Sequence, residues 1–189
     1  MRFIKVVIPV ALCILLVGFA VPAQRKYGRA TKPQKPLPVV SAIDTDALKG
    51  LITQQRERPL LVNFWATFCD PCRDEFPDLV KIDKQYRPNS LEFVTVSLDD
   101  IDQIKTDVPK FLDSMNATMP AYLLNVTDPE PAINFIDRKW QGDLPATYLY
   151  NEKGELVYKH VGRVNIAELR EAIEKAVKKT DYPAEQAAA

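Results

Sequence analysis

The segment "PLLVNFWA" (residues 59–66) runs without a charge straight into "TFCDPCR" (67–73), and no other stretch restricts the fold as much. An uncharged, largely apolar run of this length fits a strand buried on both faces of a sheet. The next segment reads as a helix from about Pro71 to Tyr86: a proline suits the first turn, and Cys72, Phe76, Leu79 and Val80 fall on one face. Pro77 lies inside that helix and is expected to kink it.

The neighbouring segments alternate in the same way. "TDALKGLITQQRER" has Ala47, Leu48, Leu51 and Ile52 at helical spacing, with Asp44 or Thr45 as N-cap. "LEFVTVSL" and "AYLLN" read as strands, and "DVPKFLDSMN" and "PEPAINFIDR" as short helices. "ATYLYNEKGELVYKHV" is a hairpin turning at Asn151 to Gly154. "NIAELREAIEKAVKK" closes the domain as an amphipathic helix. Alternating strands and helices that end in a hairpin and a helix predict an α/β domain with a central mixed sheet. The domain is placed at residues 39–180, and the tail at 181–189 is expected to be disordered.

Charge separates this domain from what precedes it. Residues 1–36 contain seven bases and no acid, whereas the remainder carries 18 bases against 25 acids, a formal −7. An acidic domain without an aromatic-interleaved basic face is a poor nucleic-acid binder, so no nucleic-acid partner is expected. Val6 to Ala23 is free of charge, which marks residues 1–23 as an export signal or a membrane anchor. Val21 and Ala23 fit a signal-peptidase site, and Leu12 before Cys13 argues against a lipoprotein. Five bases follow the run and two precede it, which alone favours keeping the following chain in the cytoplasm. The short basic start of a secretion signal favours export, and export is the expectation; cleavage and retention both fit. Residues 24–38, basic and proline-studded, read as an extended linker.

With Cys13 in the targeting segment, the folded domain owns only Cys69 and Cys72. A structural zinc site needs four ligands, and the domain offers one cysteine pair and His160, so the spacing gives zinc no support. A purely structural disulfide between residues three apart closes a very small loop and removes little entropy from the unfolded chain. Redox exchange suits the surroundings best. Cys69 falls at a helix N-terminus, where unpaired N–H groups and the helix dipole favour the attacking thiolate. Cys72, one turn inside, is placed to resolve a mixed disulfide. Asp70 between them works against the thiolate, which argues for a reductant rather than a strong oxidant.

The segment "LLVNFWATFCDPCRDEFP" resembles the active-site segment of the thioredoxin-like superfamily, in particular exported thiol–disulfide oxidoreductases of the TlpA and ResA type. The likeness includes the helix proline five residues after the second cysteine, here Pro77, and the order of elements over about residues 39–178. It implies a thioredoxin-like fold and a cis-proline loop facing the cysteines. Pro120 and Pro145 compete for that place, and only Pro145 opens the strand leading into the terminal hairpin. A cis bond there would expose the Leu144 backbone to an extended substrate segment; the alternative is an ordinary trans proline at a strand's start. Phe68, where a tryptophan is common, and Pro71 would complete an apolar docking rim.

Asn63 stands where ordinary thioredoxins carry a buried acid, and an amide cannot take the Cys72 proton. The resemblance points instead to the loop after the next strand, and Asp100 is the expected general base, which requires it to be partly desolvated; an exposed loop acid or helix cap is the alternative. Glu75 and Asp74 read as complements to the helix dipole. Trp65 reads as core, Trp140 as loop packing, and His160 as an ordinary strand residue. The chain is thus expected to be a monomeric dithiol–disulfide exchanger at the outer face of a bacterial cytoplasmic membrane. It would need no diffusible cofactor and no metal, drawing electrons from a membrane-embedded thiol carrier. A disulfide-donating oxidase or isomerase, and a binding module with a vestigial cysteine pair, are the rival readings.

Overall fold

A computed structural model describes residues 36–180. The expected targeting segment at 1–23, most of the linker at 24–38 and the tail at 181–189 lie outside the described residues. The chain forms β1 (Val40–Ile43), α1 (Thr45–Thr53), β2 (Leu60–Trp65), α2 (Asp70–Tyr86), β3 (Glu92–Ser97), a 3-10 helix (Ile101–Lys105), α3 (Asp107–Ser114), β4 (Ala121–Leu124), α4 (Glu130–Ile136), β5 (Ala146–Tyr150), β6 (Leu156–Val161) and α5 (Ile166–Thr180). One six-stranded mixed sheet results, in the order β1-β4-β3-β2-β5-β6. The first four strands in that order run parallel, and β5 joins β2 antiparallel before turning into β6.

The strand β2 lies at the sheet's centre and all six of its residues are buried, as its composition requires. Its side chains alternate between two separate cores. Leu61 and Trp65 join Phe76, Phe93, Phe111 and Leu169 on the face covered by α2, α3 and α5. Leu60, Val62 and Phe64 join Leu48, Val96, Trp140 and Tyr148 on the face covered by α1 and α4.

Local signals set the element ends. Asp44 caps α1 by accepting from the Ala47 N–H at 2.8 Å, and the helix stops at Thr53, directly after Ile52, the last position of its apolar spacing. The hairpin turn is held by Asn151, whose Oδ1 accepts from the backbone of Lys153 and Glu155. Gly154 sits there at φ 77°, and a Cβ would lie 2.9 Å from the Ile52 carbonyl, so both conformation and space call for glycine. Neither β1 nor the 3-10 helix is expected from the sequence; each is five residues or fewer, too short to develop a period. Among the described residues, no helix is long and apolar enough to cross a membrane.

Candidate active site

The chain leaves β2 at Trp65 and enters α2 with Cys69 as its N-cap residue. Cys69 and Cys72 are joined in a disulfide with their Cα atoms 5.3 Å apart. The Cys69 sulfur accepts from the Cys72 N–H at 3.2 Å, so an otherwise orphaned helix N–H points at it. Pro71 occupies the first turn and offers no donor. Cys72 is fully buried, whereas Cys69 keeps 8% of its surface and the preceding Phe68 is 73% exposed. Of the two cysteines only Cys69 therefore lines the surface, beside an exposed aromatic ring.

Two backbone loops are tied together behind Cys69. Both oxygens of Asp99 accept from the Thr67 N–H, at 3.1 and 3.0 Å, and Oδ1 also takes the Thr67 hydroxyl at 2.6 Å. The Ser97 hydroxyl donates to the other oxygen at 2.5 Å, and the Leu98 N–H reaches back to the Trp65 carbonyl at 2.8 Å. Asp99 is 3% exposed and wholly occupied in fixing the turn that leads to the cysteines. Its neighbour Asp100 is exposed at the N-cap of the 3-10 helix and makes no side-chain cap. The desolvation expected of a base for Cys72 is missing there, so Asp100 is corrected to a surface residue. The turn of the chain after β3 points the first of the two acids inward and the second out.

The carboxylate that is buried beneath the cysteines is Glu75. It sits three residues after Cys72 on the same helix, 1% exposed beside a residue that is 0% exposed. On an α-helix such neighbours have Cβ atoms about 5–6 Å apart. Its Oε1 accepts from the Asn63 Nδ2 at 3.0 Å and its Oε2 from the Val164 N–H at 2.9 Å. The second Asn63 hydrogen goes to the Thr147 hydroxyl at 3.1 Å. Asn63 pairs in register with Thr95 on one side and Thr147 on the other, so a polar row crosses the sheet's centre beneath α2. Burial pushes the Glu75 carboxyl up to about 7, although its two hydrogen bonds and the more distant charge of Arg163 pull the other way. A buried Asp83, by contrast, is clasped by Arg87 through both oxygens. Among the described residues no cation forms an ion pair with Glu75, and its raised carboxyl is poised to hold or release a proton near neutrality.

The Leu144–Pro145 peptide bond is cis. Pro145 is buried and Leu144 half-buried. Leu144 faces Phe68, Cys69, Asp70 and Pro71 across a surface depression that Leu98, Gly142 and Asp143 complete. Phe68, Asp70, Pro71 and Leu144 therefore gather around the disulfide, whereas Asp100 lines a neighbouring depression. Trp140 is packed against Phe64 and Tyr148, its indole N–H donating to the Asp143 carbonyl at 2.8 Å. Trp65 is core, stacked on Phe111. His160 is half-buried on β6, in register with Thr147. Among the described residues no group of three or more His, Cys, Asp or Glu could hold a metal ion.

Glu75, read from the sequence as a complement to the helix dipole, and Asn63, its hydrogen-bond donor, are the further candidate site residues that the structure brings beside Cys72. A signal is available: Glu75 shares the helix stripe of Cys72, Phe76 and Leu79, and Asn63 interrupts an apolar strand.

Comparison with known proteins places this geometry. A profile described as the AhpC/TSA family matches residues 33–159. The thioredoxin-like protein YneN of Bacillus subtilis is 29% identical over 126 residues, covering 67% of this chain and 69% of its own length. The thiol-disulfide oxidoreductase ResA of Halalkalibacterium halodurans is 30% identical over 118 residues, covering 61% of this chain and 62% of its own. A thioredoxin-related protein from Neisseria meningitidis serogroup B superposes with a TM-score of 0.55 at 27% identity, covering 64% of this chain and 86% of that one.

Proposed function

We propose, for a chain that belongs to the AhpC/TSA family and is a thioredoxin-like thiol–disulfide oxidoreductase, that it reduces protein disulfides at the outer face of a bacterial cytoplasmic membrane. The observation that carries the reading is the Cys69–Cys72 disulfide at the α2 N-terminus, with Cys69 at a surface depression and Cys72 buried on the helix face of Glu75. In the reduced protein the Cys69 thiolate attacks a substrate disulfide, forming one S–S bond and releasing one substrate sulfur. Glu75 takes the Cys72 proton, and the Cys72 thiolate then attacks Cys69. The mixed disulfide breaks, the substrate leaves with two thiols, and the Cys69–Cys72 disulfide is restored. Two electrons have passed from protein to substrate.

Asp70 supports the reductive direction, since its carboxylate opens the helix beside Cys69 and opposes negative charge on that sulfur. A membrane-embedded thiol carrier would return the electrons, and no diffusible cofactor enters the scheme. The protein would act as a monomer, held by or released from residues 1–23, with cytochrome c haem-site cysteines among its clients. Trapping tests this directly. Cys72→Ser should accumulate mixed disulfides through Cys69 with proteins outside the cytoplasm, and their absence would reduce the chain to a binding module. A reduction potential close to about −270 mV agrees with a reductant, and one near about −120 mV would make it a disulfide donor.

A further inference from the structure

Leu98 and Gly142 form part of the wall of the depression at the disulfide. Both residues also line a second depression, formed by the loop after β3, the loop after β4 and the Gln141–Gly142 turn. Both depressions lie at the C-terminal ends of parallel strands, the usual place for ligands in such sheets. Along this shared surface the apolar lining includes Phe68, Pro71, Leu98 and Leu144 at the disulfide, and Val126 and Ile133 further along. Every charged residue lining it is an acid: Asp70 and Asp143 in the first depression, Asp99 and Asp100 in the second. Among the described residues, no lysine, arginine or histidine lines either one. Arg73, next to the disulfide on α2, is turned away, donating to the Thr67 carbonyl and lying over the Phe111 ring.

Of the four carboxylates, Asp99 has both oxygens taken by Thr67 and Ser97. Asp70, Asp100 and Asp143 are exposed and make no ion pair among the described residues. Three such carboxylates around an apolar floor suit a partner that brings apolar surface and positive charge.

We propose that the two depressions form one docking groove for an extended substrate segment in which a lysine or arginine lies a few residues from the target cystine. The cystine sits at Cys69, and the cation lies over the second depression against Asp100, with Asp143 at the junction. The inference rests on the oxidoreductase reading and adds the substrate class to it.

The test uses the reduced full-length protein and three disulfide peptides that differ only in flanking Lys, Ser or Glu. Each second-order rate constant is divided by that of dithiothreitol on the same peptide, which removes the peptide's own reactivity. The expected order is Lys, Ser, Glu, with Lys over Glu by about ten-fold at low salt, since two or three exposed pairs contribute a few-fold each. The ratio should fall toward one as salt approaches about 1 M. Asp100→Lys should shrink it, and Asp100→Lys with Asp143→Lys should reverse it; Asp100→Asn is the milder version. Equal rates for all three peptides overturn the groove while leaving the oxidoreductase intact. Failure to reduce any of them overturns the activity, and the groove falls with it. A Lys preference appearing only after Arg25, Lys26, Arg29, Lys32 and Lys35 are replaced by Gln would give the groove to the chain's own basic stretch, and so also overturns the proposal.

Discussion

The two faces of β2 show how one strand can serve stability and chemistry at once. On the side of α1 and α4, Val62 and Phe64 enter a dry core in which Phe64 packs against Trp140 and Tyr148 at centroid distances of 5.0 and 5.9 Å. On the other side, one residue away, Asn63 reaches into a polar row with Thr95 and Thr147 and holds the buried Glu75. The first face is filled by shape. Among the described residues both faces leave buried polar atoms without partners, the Tyr148 and Tyr150 hydroxyls on the first and Asn63 Oδ1 and Thr95 Oγ1 on the second, but the second also keeps the Glu75 carboxyl where water cannot solvate it. Apolar groups in those places would hold the sheet as well or better; what they could not do is accept a proton beside Cys72.

Glu75→Gln separates the faces most sharply. The amide keeps the shape but cannot accept a proton, so resolution of mixed disulfides by Cys72 should slow by about 10²- to 10⁴-fold. Stability should move the opposite way. Because the folded carboxyl is raised from 4.5 to about 7, the folded protein keeps a proton that the unfolded chain has lost. The benefit of that retained proton is complete below pH 4.5 and is lost as pH rises toward 7, by about 3 kcal/mol in total. Urea unfolding of the oxidised protein between these pH values should show this decline in the wild type and its absence in Glu75→Gln. An equally steep decline in both would remove Glu75 from the role.

On the dry face, Phe64→Ala should destabilise by about 3–5 kcal/mol. The rate of exchange per folded molecule should stay close to wild type, and a large fall would show that the faces are not independent. Asn63→Ala is smaller in stability, about 1–3 kcal/mol for loss of a buried partner. It should shift the pH midpoint of the Cys72 step upward, because Asn63 donates to the ionised carboxylate; an unmoved midpoint would make the asparagine mere filling. Trp140→Phe removes one hydrogen bond to Asp143 and should cost only about 1 kcal/mol, measurable as a small drop in unfolding midpoint.

Legibility in the sequence divides along the same line. The cysteines, Phe68, Pro71 and Pro145 belong to contiguous motifs, and the order of strands and helices comes from apolar periods long enough to count. Glu75 is hidden because an acid in the first turns of a helix has a sufficient local explanation in the dipole. Its actual environment depends on Asn63 and Val164, one before the helix and one far beyond it. Asp100 misleads for a related reason: two adjacent acids follow β3, and which one faces inward is decided by the Thr67 backbone, not by anything local to the pair.

The bond from the Val164 N–H to Glu75 joins groups 89 residues apart. During synthesis the thiols and their acid emerge early, but the clamp on that acid waits for the segment just ahead of α5. A nascent chain would thus carry reactive sulfur without the means to complete a turnover, and competence would arrive only with the last helix in place.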